Sequence, residues 1–434
     1  MLSAGDIVHG AETGAIRIVA RLGGGLQGEV FSAESAAGPL AVKWYNAPWA
    51  TASQAKLIDD LIERGSPDPR FLWPISRLAW PGDPSPTPSW GYAMPLCEPG
   101  YFPLVRLVNG TLSPSLEPTS AEIITICQNA VESFRLLHLS GLCYRDVSLA
   151  NLFFQPRTAN IRICDVDNVS VDDGSSKVLG TPLFMAPEIV RDTTFRTFPS
   201  RSTDLHSLAV LLFFLLFMEH PLIGKKVDGG LWDEEHALVH FGREPLFVLS
   251  PTDESNRPVS AHVERYWALY PQFLRDRMLT AFGVGLHDPA ARVTEGEWLR
   301  TLSRLRDCMG TCPQCGATVF YDLEATTPVL CHGCGRPLDA PLVVVIGKRR
   351  LVVSRHLRFG ADVNSTLPSP GPPIAEAVTH PAAPDRFGLK NLTGVSWSVT
   401  TPDGSEYEVE PRQAIELTEG TRITTPSIKA VVQR

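Results

Sequence analysis

The sequence has no basic excess, no long hydrophobic run and no disulfide-type spread of cysteines, and each absence removes a class of function. Acidic side chains outnumber basic ones 47 to 39, a net charge of −8, so no global positive field argues for nucleic acid. The most apolar stretch, Leu208 to Met218, is about half the ~20 residues a helical membrane span needs. It reads as a buried helix. Met1-Leu2-Ser3-Ala4-Gly5-Asp6 lacks a basic stretch followed by an apolar one, so no secretory signal is expected. Of nine cysteines, five crowd into residues 308–334, while Cys97, Cys127, Cys143 and Cys164 stand among apolar neighbours as buried thiols. A reducing, cytoplasmic setting follows. What the chain does have is 434 residues at 44% hydrophobic content, enough for two or three domains with sizeable cores.

Residues 15–45 alternate as strand, glycine-rich turn and two further strands. Gly23, Gly25 and Gly28 would let backbone amides approach phosphate oxygens that a Cβ would push away. The chain then continues into another apolar run through Val30, Phe31 and Ala41-Val42-Lys43, where a dinucleotide fold would enter a helix. Thr51 or Ser53 caps a predicted helix reaching about Arg64, with Ala55, Leu57, Ile58, Leu61 and Ile62 on its apolar side. Residues 81–89 form a Pro-rich loop, and 121–139 an amphipathic helix.

The centre of the chain is Tyr144-Arg145-Asp146-Val147-Ser148-Leu149-Ala150-Asn151, followed by two apolar runs and Asp165-Val166-Asp167. Two carboxylates and one amide can hold magnesium and accept a proton beside a nucleotide triphosphate. The stretch resembles the catalytic and metal-binding loops of eukaryotic-type protein kinases, with Tyr-Arg-Asp for His-Arg-Asp and Asp-Val-Asp for Asp-Phe-Gly. Gly180-Thr181-Pro182-Leu183-Phe184-Met185-Ala186-Pro187-Glu188 matches the end of a kinase activation segment, and Thr203-Asp204-Leu205 leads into the family's buried helix.

The resemblance implies a set of roles. Asp146 serves as base, Asn151 and Asp165 hold magnesium (or manganese), and Lys43 aligns the phosphates of ATP beneath the 23–28 loop. Val30, Ala41 and the gatekeeper Met94 line the adenine site, and the Pro95 carbonyl with the Cys97 amide reads the adenine edge. The acid that pairs with Lys43 is expected from the following helix, as Asp59, Asp60 or Glu63; Glu188 is expected to pair with Arg292, and a phosphate on Ser175 or Ser176 with Arg145.

Two positions depart from the family. Ser148 stands where its Ser/Thr kinases place a lysine, and Asp167 where glycine is usual. At 167 an aspartate would tolerate left-handed backbone and would add a carboxylate near the metals.

Cys312-Pro313-Gln314-Cys315 and Cys331-His332-Gly333-Cys334 give two Cys-x2-Cys knuckles, the spacing of a four-thiolate structural zinc ribbon, with Cys308 and His332 as bystanders. From residue 341 short β-type runs alternate around a Pro-rich loop. Gly388 to Asn391, Trp397 and Leu417 to Ile423 resemble the closing strands of a forkhead-associated (FHA) sandwich, and Ser354-Arg355-His356 its phosphate loop. The other reading is a small β-sandwich that packs on the kinase or a partner, with the basic run Lys348 to Arg358 solvated.

The expected class is thus α+β, a bilobal protein-kinase fold over 10–306, a zinc ribbon over 308–339 and a small β-sandwich over 341–434. That order resembles bacterial kinases of the tellurite-resistance-associated triad. It implies protein substrates and, as partners, a PP2C-type phosphatase and a von Willebrand A-type protein. Neither membrane nor nucleic acid is expected. The alternative is a pseudokinase scaffold acting through nucleotide binding and its C-terminal domains.

Overall fold

The computed structural model describes residues 2–81, 89–171, 180–192, 194, 196–228, 233–325, 329–363, 365, 372–380 and 382–434. Residues 1–117 with 133–211 form one compact unit, and residues 118–132 with 212–434 a second.

The first unit opens with β1 (Ile7–Gly10), β2 (Gly14–Gly24), β3 (Gly28–Ser35), β4 (Gly38–Tyr45), α1 (Ala52–Arg64), β5 (Ser76–Ala79) and β6 (Trp90–Pro95). The strands close into an antiparallel barrel in the order β1-β2-β3-β4-β6-β5. Alternation decides which face is inside. Ile16, Ile18, Phe31, Ala33, Val42, Trp44, Leu78 and Ala93 meet in one core. The Thr51 hydroxyl caps α1 by accepting from Gln54 N at 3.2 Å, and Gly65 ends the helix with φ +71°.

After β7 (Phe102–Pro103) and α2 (Leu104–Val108), α3 (Ser120–Leu139) leads to β8 (Leu142–Cys143). The catalytic-loop segment follows, then the hairpin of β9 (Leu152–Phe154) and β10 (Ile161–Ile163), β11 (Ser170–Val171), α4 (Pro187–Arg191) and α5 (Arg201–Phe217). The apolar stretch read as a buried helix is α5, whose residues 208–213 are at most 4% exposed. No helix among the described residues is long and apolar enough to cross a membrane.

In the second unit α6 (Glu234–Ala237), α7 (Ala261–Leu269), α8 (Gln272–Phe282), α9 (Val284–His287) and α10 (Glu295–Asp307) follow. Pro271 and Gly283 each interrupt the chain, because one lacks an N–H and the other takes an irregular backbone (φ −104°, ψ −99°). A capping box of Thr294 and Glu297 starts α10.

Next come β12 (Met309–Thr311) and β13 (Thr318–Phe320), which pair as a hairpin. The C-terminal strands are β14 (Val343–Ile346), β15 (Arg349–Val352), β16 (Arg358–Phe359), β17 (Ala375–His380), β18 (Ala383–Asn391), β19 (Trp397–Thr400), β20 (Glu406–Val409), β21 (Ala414–Glu416), β22 (Arg422–Thr424) and β23 (Lys429–Gln433). They form a sheet of order β15-β14-β23-β22-β19-β20 and another of order β16-β17-β18-β21. Both contribute to one core around Trp397, Phe359, Leu389 and Ile423. The class is therefore the expected one: a bilobal α+β kinase-like fold followed by a β-rich C-terminal region.

Candidate active site

The barrel register gathers the nucleotide candidates on three adjacent strands. Val30 of β3 pairs with Lys43 of β4, while Ala41 pairs with Met94 and Leu40 with Pro95 of β6. Met94 is buried, Pro95 exposed and Cys97 half-buried, where burial pushes its thiol up to about 11. In the glycine turn, Gly25 N donates to Gly28 O at 2.9 Å. Gly28 is required by the sheet itself, since a Cβ there would lie 2.3 Å from Trp44 O. A Cβ at Gly23 or Gly25 would meet nothing within 4 Å, so those two face open space.

The catalytic-loop segment is pinned from beneath by a carboxylate. Buried Asp204 of α5 accepts from Tyr144 N at 2.6 Å, Arg145 N at 2.8 Å and His138 Nε2 at 3.0 Å. This holds Arg145 at φ +72°, a conformation costly for a non-glycine residue. Tyr144 packs edge-on to Phe134 with ring centroids 5.4 Å apart, and its hydroxyl donates to Cys164 O. The tyrosine thereby ties the catalytic loop to the metal loop.

Asp146 lies between two donors. Thr181 Oγ1 donates to Oδ1 at 2.7 Å, and Asn151 Nδ2 donates to Oδ2 at 3.1 Å and to the Asp146 carbonyl at 2.9 Å. With its N–H groups so used, Asn151 has its amide oxygen left as an acceptor that could meet a cation. Cys164 N donates to the Asn151 main-chain carbonyl at 3.0 Å, which ties the backbone just before Asp165 to the catalytic loop. Ser148 is buried, and its hydroxyl has no partner among the described residues.

Lys43 is where the structure departs from the expected pairing. Its ammonium contacts Asp165, reaches both oxygens of Asp167 at 2.9 and 2.8 Å, and donates to Gln27 Oε1 at 3.2 Å. Asp59, Asp60 and Glu63 are exposed, and Asp59 pairs with Arg77 at 2.8 Å. The residue that α1 sends to this cluster is Gln54, which donates to Asp167 O at 2.8 Å and to Tyr45 OH at 3.2 Å. Nor does Asp167 take the left-handed backbone expected of it. That conformation falls on Asp165 (φ +57°), and Asp167 lies in the 3-10 turn Val166–Asn168.

Burial alone would lower the Lys43 pKa, but the Asp167 and Asp165 carboxylates outweigh it and hold it above the ordinary value. Burial first, then the Asp167 charge, pushes Asp165 up to about 6. Burial opposes ionisation of Asp167, yet Lys43 and the Tyr45 hydroxyl, 2.5 Å from Oδ2, keep it below the ordinary carboxylate value. Sequence reasoning missed Tyr45, Gln54, Gln27 and Asn168. Gln27 Nε2 donates to Asn168 Oδ1 at 3.2 Å, which ties the glycine turn to the metal loop. Only a neutral amide in the middle of the glycine motif could have signalled it.

In the second unit the four thiols of Cys312, Cys315, Cys331 and Cys334 all lie within 4.8 Å of one another. The Cys312–Cys334 and Cys315–Cys331 separations are 3.8 and 3.5 Å, close to the ~3.8 Å edge of a tetrahedron with 2.3 Å Zn–S bonds. The knuckles repeat one geometry. Gly316 N donates to Cys312 O and Gly335 N to Cys331 O, at 2.9 and 2.7 Å, with φ +73° and +71°. Cys308 is buried outside the cluster and His332 is exposed.

In the Ser354-Arg355-His356 loop the serine is committed elsewhere, while Arg355 is exposed. Ser354 is buried and its hydroxyl donates to Met309 O at 2.8 Å, so it does not face a ligand. Arg349 of the basic run forms a two-pronged pair with Asp307 at 2.8 and 2.6 Å. Arg292 is buried, with Nε donating to Gly285 O at 3.1 Å. Ser175 and Ser176 lie outside the described residues, as does most of the 81–89 loop.

The protein kinase domain family matches residues 96–265. Serine/threonine-protein kinase SULU of Caenorhabditis elegans is 28% identical over 137 residues, 32% of this chain and 13% of that protein. Protein kinase C-like 2 of Schizosaccharomyces pombe is 29% identical over 125 residues, 27% of this chain and 12% of its own length. Protein kinase C of Aspergillus fumigatus is 29% identical over 125 residues, 27% and 11% respectively. The chain thus spans a small part of the length of the curated relatives it matches. A eukaryotic-type Ser/Thr protein kinase domain is present in it.

Proposed function

We propose that the chain is an ATP-dependent Ser/Thr protein kinase that moves the γ-phosphoryl group of ATP to a hydroxyl of a protein substrate. The observation that supports this best is one run of contacts: Lys43 on Asp165, Cys164 N on Asn151 O, and Asn151 Nδ2 on Asp146. Asp146 accepts the proton of the attacking hydroxyl, with Asn151 and Thr181 each fixing one of its oxygens. Lys43 holds the α and β phosphates under the 23–28 turn, and the Pro95 carbonyl and Cys97 amide receive the adenine edge. The Asn151 amide oxygen and the Asp165 carboxylate would hold magnesium or manganese, which neutralises phosphate charge when bound. Cys312, Cys315, Cys331 and Cys334 would hold a structural zinc.

The order of kinase, ribbon and β-domain supports a finer reading, a bacterial kinase working with a PP2C-type phosphatase and a von Willebrand A-type protein. A phosphate on Ser175 or Ser176 would pair with Arg145, whose Nη1 is buried without a partner among the described residues. Mass spectrometry of an autophosphorylated sample with neither serine modified would reject that switch.

Ser148 favours a second reading, a nucleotide-binding scaffold, because its hydroxyl brings no charge where the family's Ser/Thr kinases place a lysine. One assay separates the two: transfer of labelled γ-phosphate by wild type, Asp146→Asn and Lys43→Met. The kinase reading expects incorporation by wild type alone. Nucleotide binding without transfer leaves the scaffold, and equal labelling in all three ends the enzyme reading.

A further inference from the structure

We infer that Asp167 is the positioning carboxylate of Lys43, so that the metal loop, and not helix α1, aligns the lysine for phosphate binding. The inference rests on the kinase reading above and concerns a residue that sequence reasoning assigned to the metals.

Three observations carry it. The Asp167 side chain has no exposed surface, and both of its oxygens are engaged, with Lys43 at 2.8–2.9 Å and with the Tyr45 hydroxyl at 2.5 Å. A cation would have to displace both donors to reach it. The acids of α1 all face solvent, and the inward residue, Gln54, is neutral and binds the Asp167 carbonyl at 2.8 Å. Helix α1 therefore supports the peptide that carries the carboxylate. Finally, the two acids on Lys43 differ in freedom: the Asp165 side chain is 32% exposed, the Asp167 side chain 0%.

That difference has a chemical consequence. A cation at Asp165 draws that carboxylate's charge away from the lysine. With Asp165 as sole partner, Lys43 would lose its anchor at the moment it must hold phosphate. A second carboxylate, buried and held by Tyr45, remains with the lysine throughout. In this arrangement the charge that aligns the lysine comes from the metal loop, and α1 contributes only the neutral Gln54 contact to the Asp167 carbonyl.

The test uses the 434-residue, zinc-loaded chain and measures kcat, KM for ATP and for the protein substrate, and the affinity for a magnesium-bound non-hydrolysable ATP analogue. Asp167→Asn is expected to lower kcat about 100-fold, with KM for the protein substrate unmoved. The triple variant Asp59→Asn, Asp60→Asn, Glu63→Gln should stay within about twofold of wild type. Adding Gln54→Glu to Asp167→Asn returns a carboxylate from α1 and should recover about tenfold of the loss, a rescue that a merely structural role would not produce. Asp167→Glu, which keeps the charge, replaces Asp167→Asn if the latter fails to fold, and should retain more activity than Asp167→Gly.

An Asp167→Asn variant as active as wild type, or a triple variant that loses as much, overturns the inference. Wild type that binds the nucleotide but transfers nothing refutes only the transfer reading. The positioning role is then judged on affinity, which must fall in Asp167→Asn and hold in the triple variant. Wild type that binds no nucleotide overturns both.

Discussion

The Thr181 hydroxyl donates to Asp146 Oδ1 at 2.7 Å, so the end of the activation segment touches the candidate base directly. Asp146 is thereby oriented from two sides, by Thr181 and by Asn151. Thr181→Val, which keeps the shape and removes the donor, should lower kcat by about 10- to 100-fold with little change in KM for ATP. Thr181→Ser should keep most of the rate. Steady-state kinetics on the two variants checks this, and equal rates would separate the contact from catalysis.

Asp204 holds two consecutive amides and a histidine beneath the catalytic loop. Asparagine offers one acceptor oxygen where the carboxylate offers two, and its amide would face a donor. Asp204→Asn should therefore destabilise the fold by about 3–5 kcal/mol, the range for breaking a buried charged network. Denaturant unfolding measures it, and a loss under 1 kcal/mol would contradict the anchoring role.

The knuckle geometry predicts one zinc per chain. Elemental analysis should find it in wild type and in Cys308→Ala, and should find it lost from Cys312→Ser and Cys334→Ser. A chelator should lower the melting temperature of wild type while leaving Cys312→Ser where it was, because binding free energy here is folding free energy.

Burial pushes Asp307 up from 3.8 to about 6, against the pull of Arg349. Between those values the folded chain binds more protons at this site than the unfolded chain does. The group's contribution to stability therefore falls as pH rises from about 4 to 6, by about 2–3 kcal/mol. Wild type should lose ground relative to Asp307→Asn over that window, read from unfolding free energies at pH 4 and pH 6.5. A pH-independent difference between the two would show that Asp307 does not titrate there.

Much of this was legible in advance where one local pattern admits one physical use. Two Cys-x2-Cys pairs followed by glycine describe two identical turns, and the structure repeats the same hydrogen bonds in both. The glycine turn, the Lys43 strand and the capped α1 likewise follow from alternation, helical spacing and a threonine cap. Partners across the chain were less legible. Asp167 lies beside a metal-type aspartate in sequence, which suggested a metal role, yet its neighbours in space are Lys43 and Tyr45, more than a hundred residues away. Ser354 was expected, by resemblance, in a phosphate-binding loop, but its hydroxyl donates to Met309 O.

By itself, the order of residues determined which candidate groups this protein offers for its proposed chemistry: a lysine, two loop acids, an amide and four thiols, each in a segment whose local conformation short-range rules dictate. Only the tertiary structure decided which acid meets the lysine. A carboxylate buried without water takes whichever donors the packing brings within 3 Å, and that distance is set by how the barrel and the metal loop come together.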